Sequence, residues 1–328
     1  MSDPVSHHRS SLDATLAALK TETPSPQTTN LDLLSVDELL TVMNDADQAV
    51  PAMVREVIPD ISRAVTAITA RCARGGRLIY VGAGTAGRLG VLDASEIPPT
   101  FGVEPNTVVG LLAGGQSALT SAVENAEDDA DAGAEALRAI GLVPEDVVVG
   151  ISASGRTPYA RGALVFAETV GALTIALTCN RPSELGCVAD IAIEVEAGPE
   201  ILTGSTRLKA GTVQKLVLNM ISTALMVQQG RVYGNLMVDL RATNAKLASR
   251  AARIVAQILD TSLSEAQAFL VQAHGNVPVA VLMARAGLNF SDAQRVLAEH
   301  GGRLREAVDA LSADACVLVS DDRARIDR

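Results

Sequence analysis

The chain has 328 residues, 48% of them hydrophobic, yet only 2% are aromatic and Trp is absent. A core must therefore be built from Ala, Val, Leu and Ile, within one large domain or one main domain with smaller attachments. The formal net charge of −11 excludes nucleic acid and anionic membrane as main partners, while a local cluster could still hold a small anion.

Cys72, Cys179, Cys187 and Cys316 form no CxxC pair, and His7, His8, His274 and His300 show no metal-ligand spacing. Neither a disulfide scaffold nor a metal is expected. The polar start MSDPVSHHRSS has no signal-peptide core, and no apolar run reaches the ~20 residues that span a bilayer, so a cytoplasmic location is expected.

In chain order, residues 1–30 are polar and Pro-containing and read as a flexible arm. Ser35-Val36-Asp37-Glu38 is a capping-box start for a first helix, and a second helical run covers about 50–73. Short apolar strands then alternate with helices. The strands are predicted at 77–82, 107–112, 146–151, 173–178 and 189–195, and the helices at about 86–95, 117–139, 158–170 and 210–229. Uninterrupted apolar runs suit strands buried on both faces. The expected fold is therefore α/β: a five-stranded, doubly wound, flavodoxin-like parallel sheet across 31–245, with ligands at the strands' carboxyl ends. From 246 to 310 the pattern is helical (about 246–260, 262–273, 277–285, 291–299 and from 303), and 311–328 is a tail with a strand-like ACVLV.

Three stretches lie near strand ends. Gly82-Ala83-Gly84-Thr85-Ala86-Gly87 follows the first strand and leads into a helix carrying Asp93 and Glu96, within about three turns of the glycines. It superficially matches a dinucleotide fingerprint, but the acid due at the end of the second strand is not evident: TVVGLL runs into Ala113-Gly114-Gly115. Ser152-Ala153-Ser154-Gly155-Arg156-Thr157-Pro158 brings three hydroxyls to a helix start. That is a phosphate cradle or, more blandly, a polar cap. Gly198 to Thr212 (GPEILTGSTRLKAGT) is rich in hydroxyls with two bases, Arg207 and Lys209, and reads as an anion contact or a capping loop. The acidic run 124–129 reads as a solvated helix face, with Glu124 and Glu127 sharing one side.

The stretches GAGTAGRLGVLDASEIPPTFG, SASGRTPY, GPEILTGSTRLKAGTVQK and NLMVDLRATNAKL resemble those of bacterial N-acetylmuramic acid 6-phosphate etherases, members of the sugar isomerase (SIS) superfamily. The last two also resemble the signature shared with the glucokinase regulatory protein, and the similarity runs from about Thr21 to residue 310. Ala86 departs from the pattern, where the family usually has Ser. The resemblance implies a cofactor-free lyase, with Glu96 protonating the departing lactate and Glu127 taking the C2 proton. The phosphosugar contacts it implies are Gly84, Thr85, Ser152, Ser154, Gly155, Thr157, Ser205 and Lys209, and it implies a homodimer with sites near the interface. Two carboxyl groups suit the chemistry: the open-chain aldehyde acidifies the C2 proton, and lactate at C3 leaves with a proton, so acid and base must coexist. A sugar-phosphate-sensing regulator is the alternative of another class, distinguished by a kinase partner without lactate release. An aldose–ketose isomerase is a third, distinguished by interconversion of glucosamine or fructose 6-phosphate.

Overall fold

Strands dense in Val, Ile and Leu leave no face fit for water, so they pair into a sheet covered on both sides. The computed structural model describes residues 19–240 and 245–313; the expected ACVLV strand and most of the tail lie outside them. The strands are β1 Leu78–Gly82, β2 Val108–Leu112, β3 Val147–Ser152, β4 Leu173–Thr178 and β5 Ile191–Glu194, all parallel, in the order β2-β1-β3-β4-β5. That is the flavodoxin-like order, whose crevice opens where the order reverses, at the carboxyl ends of β1 and β3. Register fixes what meets there: Gly82 lies opposite Ile151, one residue before Ser152.

The N-terminal helices are α1 Val36–Gln48, α2 Val50–Glu56 and α3 Ile58–Cys72. The capping box at Ser35 forms: the Glu38 N–H donates to Ser35 Oγ, and the Ser35 N–H donates to the Glu38 carboxylate. The run expected over 50–73 is two helices, because Pro51 and Pro59 each open a new one. The arm is not free from Leu19 onward. Thr21 is fully buried and exchanges hydrogen bonds with Asn180, and Thr28 Oγ1 donates to Ile201 O.

The remaining helices are α4 Gly84–Phe101, α5 Ala130–Ala139, α6 Pro158–Val170, α7 Glu184–Val188, α8 Lys209–Gln228, α9 Ala245–Leu259, α10 Leu263–Gln272, α11 Val277–Ala286 and α12 Phe290–Glu299. Residues 304–313 are helical too. The predicted helix over 117–139 is corrected: only a 3-10 turn, Gly115–Leu119, and α5 form. Asn125 takes φ +59, which breaks helical continuity, and Asp129 caps α5 by accepting the Ala132 N–H. By length and composition alone α8 passes as a candidate membrane-crossing helix, although Lys209, Gln214, Lys215 and Asn219 interrupt its apolar residues. Here it is a core helix, with Val213, Val217 and Ile221 fully buried.

Two compact units result. Among the described residues, the first holds those up to Glu96 with Pro105–Thr223, and the second holds Ile97–Glu104 with those from Ala224, so the division falls inside α8. In the first unit Asp146, fully buried as a side chain, accepts from the Arg77 backbone, Nε and Nη2 and from the Val143 N–H. Burial would raise its pKa, but these donors outweigh burial and hold it below the usual carboxylate range. Stability from a lowered pKa is present above the unfolded value and lost as pH falls through the folded one. Asp146→Asn is expected to cost about 3 kcal/mol and to flatten the loss of stability below about pH 4, as read by denaturant titration across pH.

The second unit contains an internal repeat that the sequence reading did not detect. Its two copies start at Ser262 and Asn289, which cap α10 and α12 by accepting the N–H of Glu265 and Asp292. Each copy then turns through positive φ, at His274-Gly275 and Gly301-Gly302, and starts a second helix. Ala266 and Ala293 are both fully buried, as are Ala280 and Ala307, and equivalent bonds run from Gly275 N to Leu270 O and from Gly302 N to Leu297 O.

Candidate active site

The cavity begins with a turn that only glycine permits. Gly84 has φ +53, and a Cβ on Gly87 would lie 2.4 Å from Gly82 O, so β1 passes into α4 without room for side chains. Nothing lies within 4 Å of where a Gly84 side chain would stand, so the backbone there is open to a ligand.

At the end of β3 the hydroxyls form a cluster. Ser152 Oγ lies 2.8 Å from Thr157 Oγ1 and 3.3 Å from Ser154 Oγ, and it accepts the Gly155 N–H. Thr157, at the N-cap of α6, makes no capping bond with its side chain; Pro158 has no N–H to cap, and the Tyr159 N–H is taken by the Glu127 backbone carbonyl. Clustered hydroxyls at the positive end of a helix suit a phosphate.

Glu127 reaches this loop from a turn rather than from a helix face. Its backbone carbonyl accepts the Tyr159 N–H at 3.0 Å, pinning the 124–129 turn to the start of α6. The close approach of α5 and α6 makes that possible: a Cβ on Gly133 would lie 2.0 Å from Tyr159 O, and one on Gly162 would lie 2.0 Å from Ala130 O. A cavity of about 350 Å³ results, lined by Gly84, Thr85, Ala86, Glu127, Ser152 and Ser154, with Thr157, Glu22, Thr206 and Gln214 also on its wall. The missing hydroxyl at Ala86 is therefore missing from the cavity itself. Glu22, carried in by the docked arm, and Gln214, at the end of the GPEILTGSTRLKAGTVQK stretch on α8, were not anticipated as lining residues; only the tertiary fold brings them here.

The other expected residues stand elsewhere. Glu96 is exposed on α4, 12 residues after Gly84 and so about 18 Å along the helix, too far for one side chain to span. Gly155 is buried against Ser183, and Ser205 lies between lining residues without lining the wall. The Lys209 ammonium donates to Pro199 O at 2.8 Å instead of reaching into the cavity. The start of α8 is closed by Glu200, whose buried carboxylate accepts the N–H groups of Lys209 and Ala210. Burial raises the Glu200 pKa, and those two N–H groups oppose the rise. Asp93 is structural: it accepts from Tyr80, Asn219 and Ser222 in the core. Among the described residues no three His, Cys, Asp or Glu side chains gather in a way that could hold a metal ion.

The five-stranded parallel sheet belongs to a SIS-domain protein, as the matching family models show. Residues 130–224 match the SIS domain model, and residues 60–168 match that of the glucokinase regulatory protein N-terminal SIS domain. Among solved structures, a phosphoheptose isomerase from Francisella tularensis is similar at 20% identity and TM-score 0.46, over 60% of this chain and 100% of that one. N-acetylmuramic acid 6-phosphate etherase 2 of Vibrio cholerae is 53% identical across 91% of this chain and 97% of its own. The Streptomyces avermitilis etherase is 52% identical across 93% and 98%. The chain belongs to the N-acetylmuramic acid 6-phosphate etherase family.

Proposed function

We propose that this chain cleaves the lactyl ether of N-acetylmuramic acid 6-phosphate by β-elimination and rehydration, releasing D-lactate and N-acetylglucosamine 6-phosphate in cell-wall sugar recycling. The observation that carries the reading is that Ser152, Ser154, Thr157 and Glu127 all line one cavity. The Ser152, Ser154 and Thr157 hydroxyls, at the positive end of α6, hold the phosphate, and Glu127 removes the proton from C2 of the ring-opened sugar. Lactate then leaves from C3 with a proton supplied by Glu96, and water adds to C3. Since Glu96 stands about 18 Å along α4 from Gly84, the acid comes from a second copy, and the working enzyme is a homodimer that shares its sites. On this reading the reaction is cytoplasmic, because a phosphorylated sugar does not cross a bilayer unaided.

Lactate release from the phosphorylated and the unphosphorylated sugar tests the reading. Release from the phosphosugar alone is expected, and Ser154→Ala should raise KM about tenfold with kcat little changed, the loss of about one hydrogen bond to a charged group. Equal turnover of unphosphorylated muramic acid would refute the cradle, and no release from either sugar would refute the activity.

A further inference from the structure

Gln214 lies in the second turn of α8, 1% exposed, on the wall of the cavity. Its amide nitrogen is buried and has no hydrogen-bond partner among the described residues. A buried donor left unpaired costs more than an apolar group of the same shape, and natural cores seldom retain one. The neighbouring inward positions Val213 and Val217 are apolar and fully buried, so the packing alone would accept Leu or Met at 214. The amide therefore calls for a partner that arrives with the ligand.

The charge of the partner follows from what else lines the wall. The hydroxyl cluster at the start of α6, on another element, matches a phosphate. Gln214 instead offers a neutral dipole, which suits a carbonyl or hydroxyl oxygen better than a dianion. We propose that Gln214 donates its buried amide N–H to an uncharged oxygen of the sugar part of the ligand, and so determines that the cavity selects a phosphosugar over phosphate alone. The proposal rests on the phosphosugar reading of the cavity.

The test is isothermal titration of the wild type, Gln214→Met and Gln214→Glu with N-acetylglucosamine 6-phosphate and, separately, with inorganic phosphate. Melting temperatures show that each variant is folded, and the near-isosteric Gln214→Glu, an acceptor in place of a donor, carries the test if Gln214→Met does not fold. Both variants are expected to bind the sugar phosphate about 10- to 100-fold more weakly while inorganic phosphate binds as before. Unchanged affinity for the sugar phosphate, equal weakening of both ligands, or a wild type that does not prefer the sugar phosphate would each overturn the proposal. A lactate assay on the same wild-type sample separates the two readings. Lactate release with unaltered variants refutes the Gln214 donor alone, whereas absent release with a selective loss of sugar-phosphate binding refutes the etherase activity and upholds the donor.

Discussion

Glu127→Gln is expected to lower turnover of N-acetylmuramic acid 6-phosphate by about 10²–10⁴-fold, the usual contribution of one general base, while KM changes little. The split follows from geometry. Gln keeps the length and volume of the side chain, and the Tyr159 N–H still bonds the backbone carbonyl at 127, so the turn and the cradle stay in place. Only the capacity to take the C2 proton is lost. Deuterium exchange at C2 of the product in heavy water should fall by the same factor, because the same carboxylate moves that proton in both directions. A variant with near-normal lactate release would remove Glu127 from the reaction.

Glu96→Gln should be equally inactive alone, and co-expressing it with Glu127→Gln is expected to restore activity. If each site takes Glu127 from one copy and Glu96 from the other, random pairing yields dimers of which about half are mixed. Each mixed dimer has one site with both glutamates and one with neither. The mixture should then recover about a quarter of wild-type turnover, far above either variant alone. Mixed dimers without any recovery would place both glutamates in one chain's site and contradict the separation along α4. Size and activity measured on tagged, purified mixed dimers check this directly.

The sheet was legible because its information is local: runs such as Leu78–Gly82 and Val147–Ser152 declare themselves by uninterrupted apolarity. The hydroxyl cradle was legible for the same reason, since Ser152, Ser154 and Thr157 are sequence neighbours. The turn bearing Glu127 was misread as a helix because Ala-rich acidic segments have good helix propensity. The override comes from a cap at Asp129 and from the backbone bond to Tyr159, a partner 32 residues away (159 minus 127). Lys209 shows the opposite failure. A cation in a hydroxyl-rich loop reads as an anion contact until the fold hands its ammonium to Pro199 O. Glu22 carries no local signal, and Gln214, although inside the GPEILTGSTRLKAGTVQK stretch, carries none that marks it as lining the cavity, since their places on the wall depend on the Thr21–Asn180 clasp and on the packing of α8. The helical repeat of the second unit could have been read from Ser262 and Asn289 and their paired glycines. It escaped because the second helices of the two copies differ in polarity, PVAVLMARA against REAVDALSA.

The central claim is that the ether is broken at C3 of the sugar by elimination and that water then fills that carbon. Turnover of N-acetylmuramic acid 6-phosphate in water enriched in oxygen-18, followed by mass spectrometry of both products, tests it most directly. One labelled oxygen is expected in N-acetylglucosamine 6-phosphate and none in lactate. Label in lactate, or no lactate formed, would contradict the account.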